Sequence, residues 1–180
     1  WTTSIDFSDA YLHIRIDPKY RRYLRLNILG ATLQFKAMCF GLNIAPRVFT
    51  KMMEPVAAHL RSRGIHLHRY LDDWLFRASS PQTVAAHTLE ALQLFNRQGI
   101  LVKLKKSDLT PRKRFVFLGM DIDLEWGWIR PTEEEIQKVL AFCSVLAQTQ
   151  VASLRLLLSL LGLLNHTCQF VLLGRLHIRP

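Results

Sequence analysis

Tyr70-Leu71-Asp72-Asp73-Trp74-Leu75-Phe76 sets two adjacent carboxylates in a stretch whose other side chains would suit any protein core. Burying such acids without a positive partner costs on the order of several kcal/mol per charge. Neighbouring strand residues point to opposite faces, so both acids reach one point only where the chain turns, as in a tight hairpin. Two readings follow: a polar turn with a solvated Asp pair, or a divalent-metal site. Hard carboxylate oxygens with no His or Cys beside them favour Mg²⁺ over zinc. A metal site needs more ligands. Asp6, which follows the strand-like Ser4-Ile5 and precedes Asp9, is the candidate.

Working outward, the 180 residues make one ordinary domain, or one domain with a small appendage. Hydrophobic residues are 49% and charged residues 21%, which excludes a disordered chain. Lys and Arg number 24 against 14 Asp and Glu, a net charge of +10 that points to a polyanionic partner, nucleic acid before an anionic membrane surface. The basic residues fall in groups: Arg15, Lys19, Arg21, Arg22 and Arg25; Arg61, Arg63 and Arg69; and the run from Arg97 to Arg114. Cys39, Cys143 and Cys168 show neither CxxC nor zinc spacing, and His66 and His68 lack a third ligand. Reduced thiols in an intracellular, non-secreted protein of cytoplasm or nucleus are expected. The apolar run Leu156 to Leu164 is too short to span a bilayer, so no membrane partner is expected. With Trp1 first and no signal peptide, the chain reads as a fragment or excised domain.

Local signals give the element order. Ser4 to Ile16 reads as a strand into a turn, and Tyr20 to Leu29 and Ala31 to Met38 as strands joined at Gly30. Ala45-Pro46 opens a helix that stops at Gly64. Ile65 to Arg77 is a pair of short strands around the acids. Ser79-Ser80-Pro81 caps a helix ending at Gly99. Ile100 to Lys106 and Phe115 to Leu124 read as strands, with Glu125 to Trp128 as a tight connection. Thr132 with Glu135 forms a capping box for a helix to about Ala147, and a leucine-rich helix spans roughly Val151 to Cys168. The fold class is α+β, an antiparallel sheet with helices on one face.

At this point the sequence resembles the reverse transcriptases. Ile5-Asp6-Phe7-Ser8-Asp9-Ala10-Tyr11 resembles the first palm motif of that family. Phe40-Gly41-Leu42-Asn43-Ile44-Ala45-Pro46-Arg47-Val48-Phe49 resembles the second, and Tyr70-Leu71-Asp72-Asp73 the Tyr-x-Asp-Asp signature. Gly99 to Ser107 with Lys106, then Phe117-Leu118-Gly119, resemble the two that follow. Five motifs in the family's order are far more specific than any one. The tail, Leu157 to Leu164 and then Leu173 to Pro180, is most similar to retrotransposons of the DIRS (tyrosine-recombinase) type, with gypsy-like elements next.

The resemblance implies a polymerase palm with partial fingers over residues 1–130, the fingers segment at about 15–40, and a helical thumb or connection over 131–180. It implies an RNA-directed DNA polymerase that joins a dNTP to a primer 3′-hydroxyl with two Mg²⁺ ions, for which Mn²⁺ substitutes. Asp6, Asp72 and Asp73, with the Phe7 carbonyl, would hold the metals. Asp9 and Ala10 would offer backbone N–H groups to the triphosphate, and Tyr11 would act as steric gate against a 2′-hydroxyl. Phe40 and Gly41 would lie against nucleotide and template, and Tyr70 under the primer end. Phe117, Leu118, Gly119 and Met120 would form the primer grip, and Lys106 would be the general acid for pyrophosphate. Cys39 stands where a Pro is usual in the family. Partners would be RNA or DNA template with primer and dNTP. Upstream fingers and a downstream ribonuclease H region of a parent polyprotein would complete the enzyme, and the piece alone would extend primers poorly or not at all.

Blander readings stand beside these. Tyr11 suits a sheet core, Lys106 a solvated basic face, and Phe117 to Met120 plain strands. The whole chain also reads as a non-catalytic nucleic-acid-binding remnant, or as an interaction domain with structural acids.

Overall fold

The computed structural model describes residues 1–149, 151–171 and 173–177. The chain divides into two compact units, one from Trp1 to Arg112 and the other from Lys113 onward. The resemblance divides palm from thumb after residue 130. In the structure the strands just after Lys113 belong with the helices that follow them.

The first unit contains β1 (Thr2–Asp6), β2 (Arg25–Ile28), β3 (Ala31–Gln34), α1 (Ala45–Ser62), β4 (His66–Tyr70), β5 (Asp73–Arg77), α2 (Pro81–Arg97) and β6 (Asp108–Arg112). Four of the strands form an antiparallel sheet in the order β4-β5-β1-β6. The strand period decides its two faces. Thr3, Ile5, Trp74, Phe76 and Leu67 share one face by register, and they pack with Phe49, Met53, Ala57 and Leu60 of α1 and Val84, Ala91 and Phe95 of α2. Those helix residues recur at three- and four-residue spacing, the stripe a sheet-backing helix needs. Phe7 lies at the centre, its ring edge-on to Phe49, Trp74 and Phe95 at 5.0–6.1 Å. Thr88 reconciles its hydroxyl with this apolar layer by donating to Val84 O at 2.6 Å and sharing a bond with Thr3 Oγ1.

The helix ends follow the capping signals. Ser80 Oγ accepts from the Thr83 N–H at 3.1 Å, and Pro81 occupies the first turn. Two expectations fail. Residues 100–107 form an irregular loop with a lone bridge, Val102 to Phe7, instead of a strand. The strand beside β1 is β6, whose Pro111 is tolerated because β6 is at the sheet edge. The strand into a turn expected over Ser4 to Ile16 is found: β1 ends at Asp6, Asp9 adopts φ +49° and Ala10–His13 coils into a 3₁₀ turn. Pro18–Tyr23 is likewise a 3₁₀ turn, and the two strands after it are shorter than the apolar runs suggest.

The second unit holds the antiparallel meander β7 (Arg114–Phe117), β8 (Met120–Asp123) and β9 (Trp128–Pro131), then α3 (Glu133–Gln148), α4 (Leu154–Thr167), a 3₁₀ turn at Cys168–Phe170 and α5 (Gly174–His177). Leu118 and Gly119 both have positive φ, 51° and 75°, the two-residue turn whose twist matches a hairpin. Strand β9 takes up Trp128, the last residue of the expected connection, and ends in the proline that also starts the helix signal. Thr132 Oγ1 accepts from the Glu135 N–H at 3.4 Å and begins α3 as expected. Among the described residues, no helix is long and apolar enough to cross a membrane.

Candidate active site

The open face of the first sheet carries the acids. Tyr70, Asp73 and Asp6 are direct cross-strand partners, so they form one row over β4, β5 and β1. Leu71 and Asp72 make the two-residue turn between β4 and β5, with Leu71 at φ +52°. That tight turn is what the adjacent acids demanded of the sequence. The Phe7 N–H donates to Asp72 O at 3.2 Å and ties the turn to the end of β1.

The carboxyls share an electrostatic neighbourhood. Asp6 is pushed above the ordinary carboxyl value by burial and then by the charge of Asp72, while Lys106 and Lys103 pull it back. Asp73 is raised by burial, then by Asp72 and Asp6, with Lys106 opposing. Tyr11 is raised by burial, then by Asp72 and Tyr70. The half-buried Tyr11 ring packs at 5.1 Å from the exposed Phe40 ring and at 6.0 Å, edge-on, from Phe49. Its face toward Phe49 is core packing, and its hydroxyl feels the charge of Asp72. Gly41 adopts φ +91°, and a Cβ there would meet nothing within 4 Å, so the need for glycine visible in the protein is conformational.

Among the described residues, no three His, Cys, Asp or Glu side chains are grouped closely enough to hold one metal ion between them. The chemistry of the donor set nevertheless fits a hard divalent cation. It consists of carboxylates alone, and two of the three, Asp6 and Asp73, have raised proton affinity through burial and then the charge of Asp72.

Asp9 and Ala10 lie on the turn after β1, with Asp9 left-handed and exposed and Ala10 buried. Lys106 is exposed on the 100–107 loop. That loop is joined to the Asp6 segment by Lys103 N–H to Asp6 O and Ser8 N–H to Leu101 O, both at 2.8 Å. The structure therefore brings Asp6, Asp72, Asp73, Tyr70, Tyr11, Phe40 and Lys106 into one region of the first unit. Phe117, Leu118, Gly119 and Met120 belong to the second unit, where they form the tight turn between β7 and β8. The sequence reading passes over His13 and Ser107, which make side-chain bonds to the loop and to β1. A lone polar residue in a turn leaves no pattern by which to find either.

A four-stranded antiparallel sheet, backed by two helices and carrying a row of acids on its open face, defines a polymerase-type palm. In fold the chain is similar to the foamy viral protease-reverse transcriptase in complex with an RNA/DNA hybrid, with TM-score 0.72 and 22% identity over 92% of this chain and 21% of that one. The same viral enzyme in complex with double-stranded DNA matches with TM-score 0.65 and 25% identity over 92% of this chain and 32% of that one. The family model described as reverse transcriptase (RNA-dependent DNA polymerase) matches residues 1–122, and the chain belongs to that family. Similar proteins include an uncharacterized protein of Caenorhabditis elegans, 28% identical over 84% of this chain and 11% of that protein. Another is a putative enzymatic polyprotein of cassava vein mosaic virus, 24% identical over 94% of this chain and 24% of the polyprotein. The chain thus spans no more than 24% of the length of either relative.

Proposed function

We propose that this chain is the catalytic palm of an RNA-directed DNA polymerase, joining a dNTP to a primer 3′-hydroxyl on an RNA or DNA template. The observation that carries the reading is the row Tyr70–Asp73–Asp6 on the open face, with Asp72 in the turn beside it. Asp6, Asp72, Asp73 and the Phe7 carbonyl would hold two Mg²⁺ ions, or Mn²⁺ in their place. Such ions supply activation of the attacking oxygen and charge neutralisation at the departing pyrophosphate.

The chain's own groups do the rest. Tyr11, supported by Phe40 and Phe49, presents a flat wall where a 2′-hydroxyl would collide. Asp9 and Ala10 offer backbone N–H groups to phosphate, and Phe40 and Gly41 give an exposed surface for the nucleotide and template. Tyr70, exposed beside Asp73, supports the primer end. Lys106 donates the proton to pyrophosphate, and its charge already acts on Asp6 and Asp73. The hairpin turn at Phe117–Met120 grips the primer backbone. Residues 1–130 serve as palm with partial fingers and 131–180 as thumb, completed by fingers and ribonuclease H regions of a polyprotein. The net charge of +10 makes template binding fall steeply with salt. Free Cys39, Cys143 and Cys168 suit a reducing compartment, cytoplasm or nucleus.

Membership of a DIRS-type element is part of this reading and rests on the tail, of which Ile178, Arg179 and Pro180 lie outside the described residues. A tyrosine recombinase frame beside the coding sequence supports it, and an integrase frame in its place overturns it in favour of the gypsy-like type.

The test of the main reading is Mg²⁺-dependent primer extension on an RNA template, with the protein expressed over its whole reading frame. Extension is expected, with loss on joint substitution Asp72→Asn and Asp73→Asn. Extension that survives that double substitution overturns the assignment. Salt-sensitive template binding without extension would mark a non-catalytic remnant.

A further inference from the structure

The loop that carries Lys106 is anchored to the core only in its first half, where Ile100 and Val102 pack against the apolar layer. Leu101 and Leu104 are 62% and 63% exposed, and Lys106 itself is exposed. Beyond Val102, hydrogen bonds have the larger part in fixing where Lys106 stands. The backbone supplies the bonds to Asp6 and Ser8 described above. The other attachments come from two side chains.

His13 sits at the end of the 3₁₀ turn that follows Asp9. Its Nε2 accepts from the Leu101 N–H at 2.9 Å, and its Nδ1 lies 3.1 Å from Ala10 O. A carbonyl only accepts, so Nδ1 carries the proton, and Nε2 is the free lone pair the Leu101 amide needs. The two contacts together select one neutral tautomer. At the loop's other end, Ser107 Oγ accepts from the Asp6 N–H at 3.0 Å and donates to Lys103 O at 3.0 Å. Lys103 O also accepts from the N–H groups of Lys106 and Ser107, at 2.9 and 3.0 Å. Ser107 thus ties the backbone of a candidate metal ligand to the turn that presents Lys106.

We propose that His13 and Ser107 are positioning residues, a pair of polar clamps that pin the Lys106 loop to the strand end bearing Asp6. The assignment deepens the polymerase reading and rests on it. Neither residue touches substrate in this scheme. Each acts through Lys106, so the proton donor and the acid row keep a fixed relation while nucleotides enter and pyrophosphate leaves.

Two measurements test this separately. In the chain itself, amide hydrogen exchange reads the clamps directly. The Leu101 amide exchanges at least about tenfold faster in His13→Leu, and the Asp6 amide does so in Ser107→Ala, because each loses its acceptor. His13→Gln and Ser107→Thr, which keep an acceptor and a donor, retain the protection. Unchanged exchange in both the Leu and the Ala variants overturns the clamps. Because the two clamps are read at different amides, failure of one variant to fold leaves the other decisive.

In primer extension by the full reading frame, His13→Leu and Ser107→Ala lower kcat about tenfold, with KM for dNTP within about twofold, and the Gln and Thr variants restore it. In a Lys106→Met background neither substitution lowers kcat further, since residues acting as a unit are non-additive. Losses that multiply with that of Lys106→Met overturn the routing through Lys106. Absence of extension from the unsubstituted protein sinks the polymerase reading itself. Intact extension with unchanged exchange sinks only the clamps.

Discussion

Helices α1 and α3 are both amphipathic and similar in length, yet they end in different environments. Helix α1 buries Phe49, Met53, Ala57 and Leu60 to 1% exposure or less. Helix α3 has no buried residue, and its Leu140 and Val145 are 53% and 50% exposed. The first unit buries its acids' neighbours in a dense aromatic layer. The second unit is held by a short meander, by local caps, and by ion pairs such as Arg114 and Arg130 with Asp121. An apolar stripe is thus a demand for a partner rather than evidence of one. The unit with the buried aromatic layer is the one that holds the acid row.

The comparison can be broken or sharpened by substitution, beginning with the largest effect. Asp72→Asn with Asp73→Asn should reduce primer extension by about a thousandfold or more, because the charge that would hold the metals is gone. Its thermal midpoint without divalent ions should not fall. Single-turnover kinetics and a melting curve check the two together.

Within the packed layer, Phe95→Ala should cost about 3–5 kcal/mol in a denaturant titration, since a fully buried ring leaves a cavity. Leu140→Ala on α3 should cost within about 0.5 kcal/mol. Equal costs would erase the contrast between the units.

Caps should matter alike in both. Ser80→Ala at α2 and Thr132→Ala at α3 should each cost about 1 kcal/mol, read by helix unfolding.

The smallest effect concerns pH. Asp6 and Asp73 hold their protons to higher pH in the fold than the ordinary 3.8 of the unfolded chain. Their ionisation therefore opposes folding. Stability should decline as pH rises from about 3.8 through the raised values, and it stays lowered above them. Asp73→Asn should flatten that decline, as followed by melting curves across acidic pH. Saturating Mg²⁺ should offset it by binding the ionised form.

Much of the palm could be read from residue patterns because its signals are local. Ser80 before Pro81, Gly64 after α1, and the tight turn that adjacent Asp72 and Asp73 require are each fixed without reference to distant contacts. Strand β6 escaped because Asp108, Thr110 and Pro111 look like a loop. It becomes a strand only by pairing with β1, a long-range contact that intrinsic propensity does not encode. The loop at 100–107 escaped for the converse reason. Leu101 and Val102 suit a strand, but the Lys103 carbonyl turns the chain back on itself. The acids themselves were legible because carboxylates in an apolar context violate composition. His13 and Ser107 were not, since each is defined by a partner more than eighty residues away.

Mn²⁺ titration of the chain, followed through its carboxyl carbon NMR signals, tests the central claim most directly. Asp6, Asp72 and Asp73 should broaden together at substoichiometric Mn²⁺, ahead of the other acids. Broadening of the Asp72–Asp73 pair with an unaffected Asp6 would contradict a shared site.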